Sequence, residues 1–190
     1  MDPVKLKSEI ENRMPAKRYE HVLRVMETSV RLAKMHNLPV EKAINAALFH
    51  DIAKAMDGAL LLSIMEKENV DSRLSNFHKE LWHAPVGAII ARDEFGIADE
   101  DILNAIRYHT TGRTNMSLLE KLLYVSDMIE PGRDFPGVDA LRELAEESID
   151  FAMGACIQQS ILFLVSKKVP VFPDSIDCYN DHVKGKTTKD

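Results

Sequence analysis

Cysteine is scarce. The 190-residue chain has two, Cys156 and Cys178, and no C-x-x-C spacing, which excludes a zinc ribbon and a disulfide framework and fits a reducing cytoplasm. A basic surplus is missing as well. With 24 basic residues against 30 acidic ones and a net charge of -6, there is no general field to draw in nucleic acid or an acidic membrane surface, so an anion has to be captured by local groups. Long apolar runs are also absent. The longest, Ile161-Leu162-Phe163-Leu164-Val165, is far short of the roughly 20 residues of a membrane span. Met1 to Lys5 leads into a charged segment without the apolar stretch of a secretory signal. Neither an internal repeat, nor a Gly/Ser-rich linker, nor a β-periodic segment of useful length is present. With 45% hydrophobic residues and about 150 residues as the usual size of a domain, the expectation is an all-α single domain.

Helical periodicity places the elements. Val4 to Arg13 is a short helix broken by Pro15, and a longer one starts near Ala16 and ends at Asn37-Leu38-Pro39. A third spans Val40 to Lys54 and closes at His50-Asp51. Asp57-Gly58 is a turn before a helix over Ala59 to Glu68, and Asp71 to Lys79 is less regular. Glu80 to Phe95 reads as a helix stopped at Gly96, which suits a left-handed cap. Asp99 caps the next helix, where Ile102, Ala105, Ile106 and His109 line up and His109 falls at the inner edge of the last turn, and Ser117-x-x-Glu120 is a capping box opening another. Val138 to Ala145 and Ser148 to Val165 are further helices, followed by a proline-bearing segment, Val169 to Asp177.

Six polar residues lie at or near the core-facing edges of five of these helices: His21, His50, Asp51, His83, His109 and Asp127. An ionised carboxylate withdrawn from water without a partner costs several kcal/mol. Each histidine alone reads most simply as a hydrogen-bonded core residue, and His36, His78 and His182 are left so. Together, four imidazoles and two carboxylates converging on cations remove the cost. Nitrogen and oxygen ligands without thiolate disfavour structural zinc and favour iron, manganese or another ion that accepts octahedral geometry. Six side chains exceed what one ion with open coordination uses, which suggests two ions sharing Asp51 as a bridge. Such a pair activates water toward a phosphorus centre. Hydrolysis of a phosphate ester or anhydride is the expected chemistry.

The ordered set His21, His50-Asp51 and Asp127 resembles the HD-domain phosphohydrolase superfamily, and His83 and His109 match the additional histidines of its two-metal members. Three further stretches, Lys17 to Val22, His109 to Gly112 and Ser126 to Gly137, resemble the YqeK family of bacterial symmetrical dinucleoside tetraphosphatases. The resemblance implies an HD-type helical bundle with the metal site between helices. Residues 1–184 then form the domain, with an N-terminal helix and a C-terminal covering segment, and 185–190 form a mobile tail. It also implies cleavage of diadenosine tetraphosphate to two ADP at a di-iron centre, with manganese or cobalt as substitutes. In that reading Asp51 bridges, His21, His50 and Asp127 hold one ion, and His83 and His109 hold the other. Hydrolysis of other nucleotides, or a nucleotide-sensing module without turnover, is the alternative.

A polyphosphate needs further donors. Arg133 is the first candidate, against an ion pair with Asp134 or Glu130. Lys54 is the second, to stabilise developing charge, against a simple role at a helix carboxyl end, and Arg18 is the third. Thr110, Thr111 and Gly112 form a loop that serves either phosphate contact or turn chemistry. Phe172 and Asp174 belong to a segment that closes over the site to hold the base, or else packs as a strand-like cover. Trp82 is assigned to packing or to a dimer surface, which leaves room for a homodimer.

Overall fold

The computed structural model describes residues 3–183, with side chains from Leu6 onward; the tail from Gly185 lies outside the described residues. Ten α-helices follow one another within them: α1 (Pro3–Glu11), α2 (Ala16–Met35), α3 (Val40–Phe49), α4 (Gly58–Lys67), α5 (His83–Asp93), α6 (Glu100–Tyr108), α7 (Leu118–Ile129), α8 (Val138–Glu147), α9 (Ile149–Ser166) and α10 (Pro173–Val183). Short 3-10 turns occupy Ser72–Asn76 and Lys79–Leu81, and no strand occurs among the described residues.

Polar side chains set several helix boundaries. Asp57 accepts from Ala59 N to start α4, Asp99 accepts from Asp101 N and Ile102 N to start α6, and Ser117 and Glu120 make a reciprocal capping box on α7. Gly96 stops the chain after α5 with a φ of +69, a value that costs glycine nothing because it lacks Cβ.

α3 is the central post, packed against α2, α6 and α7. Its Ala43, Ala46 and Ala47 are fully buried, and these small side chains let neighbouring helices approach closely. Around it Phe49, Ile106, Leu119, Leu122 and Leu123 are also fully buried, each contributing roughly 1.5–3 kcal/mol of apolar burial. That rigid centre fixes the ends of α3, α6 and α7, where the polar cluster sits.

Four sequence expectations are corrected. The third helix ends at Phe49 instead of Lys54: Ile52 N donates to Phe49 O and Lys54 N to Asp51 O, so the chain winds in tight three-residue turns that swing His50 and Asp51 together toward one point. The helix expected from Glu80 begins at His83, because Lys79–Leu81 closes as a 3-10 turn capped by His78. His109 is the cap residue of α6, one position past its last turn. The segment after Val169 is no strand-like cover. Pro173 opens α10, proline being well suited to a first helical position.

Candidate metal centre

Helix ends and one tight turn deliver the six polar residues to one place. His21 comes from the second turn of α2, His50 and Asp51 from the turn leaving α3, His83 from the start of α5, His109 from the end of α6 and Asp127 from the last turn of α7. His50 is fully buried, Asp51, His83 and His109 are nearly so, and the Asp127 side chain is 23% exposed, which leaves the site one open side.

The two Asp51 oxygens face different partners. Oδ2 lies 3.3 Å from His50 Nε2 and 3.7 Å from His21 Nε2, whereas Oδ1 lies 3.0 Å from His83 Nε2 and 3.9 Å from His109 Nε2. Asp127 Oδ1 is 3.1 Å from His21 Nε2. Two triads have their ligand atoms within 4.8 Å of one another: His21, His50 and Asp127, and His50, Asp51 and His109. Atoms held about 2.0–2.2 Å from a common ion are spaced this way.

The outer nitrogens fix the ring orientations. His50 Nδ1 donates to Ala47 O at 2.6 Å and His109 Nδ1 to Ile106 O at 2.7 Å. A carbonyl only accepts, so Nδ1 carries a proton, and in the neutral form of each ring the Nε2 lone pair points inward. His21 Nδ1 meets Glu130 Oε1 at 3.0 Å. The Nε2 atoms of His21 and His50 are buried without a hydrogen-bond partner. Orphaned, inward-aimed imidazole nitrogens beside carboxylates are the donor set a divalent ion needs, and these residues fit one.

Protonation follows the same logic. Burial works against the charge on Asp51, but the charges of His50 and His83, whose Nε2 atoms stand 3.3 and 3.0 Å from its oxygens, hold it well below the usual carboxylate range. Burial opposes the Asp127 charge too, and His21, whose Nε2 stands 3.1 Å away, and the charge of Arg133 prevail, keeping it ionised. Burial pushes His83 down and, joined by the charges of His83 and His50, pushes His109 down to about 3. His50 is raised because Asp51 outweighs the effect of its burial.

Cations cover the open side. Arg18 Nη1 donates to Asp51 Oδ2 at 2.9 Å. Arg133 Nη2 donates to Asp127 Oδ1 at 2.5 Å and its Nε to Asp127 O at 2.9 Å, so its partner is neither Asp134 nor, except at 3.9 Å, Glu130. Lys54 turns to Glu80, 2.6 Å away, beside a recess that His83 also lines.

The other expected contacts lie farther out. Thr110, Thr111, Phe172 and Asp174 line a cleft of about 370 Å³ floored by apolar residues such as Leu81 and Pro85. Phe172 is buried and packs edge-on against Phe77. Gly112 does not face that space. It sits at φ +64, where an added Cβ would meet Cys178 Sγ at 2.7 Å, so it seats α10 against the loop. Trp82 packs, its Nε1 donating to Leu74 O.

Sequence reasoning missed the role of Glu130, weighing it only as an ion-pair partner of Arg133. It is buried, takes Arg24 Nε at 2.6 Å and Gly132 N at 2.6 Å, and steers His21. Burial alone would raise its pKa, yet these donors lower it. The signal was its spacing of three from Asp127, which places both carboxylates on one side of the end of α7. Arg24 reaches it across Gly132, where any side chain would collide with the guanidinium.

Comparison with known proteins agrees with this geometry. The chain is 45% identical over 176 residues to a symmetrical bis(5'-nucleosyl)-tetraphosphatase of Bacillus subtilis, covering 93% of this chain and 95% of that protein. It is 44% identical to the like-named protein of Halalkalibacterium halodurans, covering 86% and 87%. A crystal structure from Clostridium acetobutylicum, described as an HD superfamily hydrolase involved in NAD metabolism, superposes with a TM-score of 0.92 at 40% identity, covering 96% of this chain and 97% of that one. Residues 18–132 match the HD domain family, the stretch that runs from Arg18 past all six clustered residues, and the chain belongs to that family of divalent-metal proteins.

Proposed function

We propose that this protein is a metal-dependent hydrolase that cuts dinucleoside tetraphosphates symmetrically, diadenosine tetraphosphate giving two ADP. The observation that carries the reading is Asp51, whose two oxygens face separate histidine pairs. His21, His50 and Asp127 would hold one ion and His83 and His109 the other, with Asp51 shared between the two sets. The two ions are iron in this reading, with manganese or cobalt able to replace it, because all three accept mixed nitrogen and oxygen ligands. When bound, such a pair supplies Lewis acidity and lowers the pKa of water.

The chain's own residues do the rest. Glu130 and the carbonyls of Ala47 and Ile106 keep three imidazoles turned inward. Arg18 and Arg133, now on Asp51 and Asp127, stand at the open side, where phosphate oxygens can take their donors. Lys54 adds a positive charge there. The cleft beside Thr110, with Thr111, Phe172 and Asp174, receives a nucleoside, its volume falling within the usual range of about 300–1,000 Å³ for small-molecule sites. A cytoplasmic location and a homodimer complete the reading.

The test is to load the protein with Fe(II), Mn(II) or Co(II), add diadenosine tetraphosphate and separate the products. ADP alone is expected. AMP with ATP would overturn the symmetrical cut, and no product would turn the reading into a nucleotide sensor.

A further inference from the structure

α2 and α9 are the two longest helices, and their outward faces differ. The exposed positions of α2 include Lys17, Glu20, Glu27, Arg31 and Lys34, all charged, as expected of a helix facing water. α9 is apolar nearly all round. Its outward side shows Phe151 at 59% exposure, Leu162 at 56%, Phe163 at 57% and Val165 at 58%, and Val169 continues the patch at 40%. Phe151, Ala155, Gln158, Leu162 and Val165 follow one another in steps of four and three, the spacing of a helix-pairing seam, and Val169 lies just beyond the helix end.

Charge is sorted along the same helix. Asp150 lies in its first turn, just after Glu146 and Glu147 at the end of α8, and Lys167 and Lys168 follow its carboxyl end. Asp150 is 63% exposed and Glu146 56%, each also paired within the chain, with Lys121 at 2.6 Å and Arg31 at 2.8 Å. We propose that this face pairs antiparallel with α9 of a second copy of the chain. In a twofold arrangement the same patch serves both partners. The Phe151 turn of one copy meets the Leu162 to Val165 turn of the other, Gln158 lies beside the axis, and the acidic end of each helix faces the two lysines of its partner. The helical seam from Phe151 to Val165 is roughly 21 Å long at 1.5 Å per residue. A negatively charged bilayer suits the lysines and repels the carboxylates at the opposite end, whereas a second copy uses both. The face carries none of the metal-centre residues.

The test is sedimentation equilibrium of the full chain across a dilution series. The expected result is a dimer that Leu162→Glu with Val165→Glu converts to a monomer of unchanged helix content and turnover. Gln158→Cys should form an interchain disulfide under mild oxidation, Cys156 and Cys178 being buried. Asp150→Lys should weaken the dimer about tenfold, and Lys167→Asp in the same chain should restore it. A wild-type monomer at every concentration overturns the proposal, as does a dimer untouched by the paired glutamates. A monomer that sediments with phosphatidylserine vesicles through Leu162 and Val165 overturns it in favour of a lipid surface.

Discussion

The two sides of the metal centre are built to different standards. On the side of His21, His50 and Asp127, both imidazoles have their outer nitrogen held, by Glu130 and by Ala47 O, and the carboxylate is gripped by Arg133. On the other side His109 is held by Ile106 O, but His83 Nδ1 is buried with no hydrogen-bond partner. His83 is also the first residue of its helix, adjoining the 3-10 turn that carries the exposed Glu80. An anchored ring loses little freedom on ligating a metal, and outer-shell partners are commonly worth 10–100-fold in affinity. The difference predicts that, if two ions bind as proposed, the first would be held more tightly than the second.

The strongest way to break the comparison is to remove what both sides share. Asp51→Asn should abolish binding of both ions and all turnover while helix content stays. The check is elemental analysis beside a thermal melt: a metal present at a hundred times its dissociation constant adds about 2.7 kcal/mol per site to wild-type stability, and the variant should gain none. Retention of two ions would remove Asp51 from the bridge.

Next in size, His83→Ala should drop the metal count from two to one, keep about half of the metal-induced stabilisation and lose most turnover. Loss of both ions together would show that the sides are not independent. Glu130→Gln acts on the well-held side without touching a ligand. It should weaken the first ion by about 10–100-fold, read by competition with a chelator, and excess metal should restore turnover.

The clustered polar residues could be read from the sequence because a histidine or aspartate on an apolar stripe carries its cost in plain view: His21 beside Val22 and Val25, His109 after Ile102 and Ile106. Helix periodicity likewise placed α2 and α7. What could not be read depends on contacts distant in the chain. Glu130 gains its meaning from His21, 109 positions away. Whether the turn after Phe49 continues as α-helix or tightens was decided by packing around His50, to which local propensity is blind. Gly112 could be read either as part of a phosphate contact or as turn chemistry, and its seating of Cys178 of α10 was visible in neither reading. The apolar face of α9 was visible as Ile161 to Val165, but its exposure was not, since composition cannot distinguish a buried helix from an uncovered one.

The smallest effect sharpens the comparison at the loosely held side. Lys54 is tied to Glu80 at 2.6 Å, and Glu80 is 54% exposed, so the pair contributes at most about 0.2–1 kcal/mol to stability. Glu80→Gln removes the competing carboxylate and leaves Lys54 in place. If Lys54 meets substrate phosphate, its release should lower KM for diadenosine tetraphosphate two- to threefold, by roughly 0.4–0.7 kcal/mol of binding, with kcat and melting temperature unchanged. Lys54→Ala should move KM the other way. An unchanged KM in both variants would confine Lys54 to the surface pair, and the positive charge at the open side would then come from Arg18 and Arg133 alone.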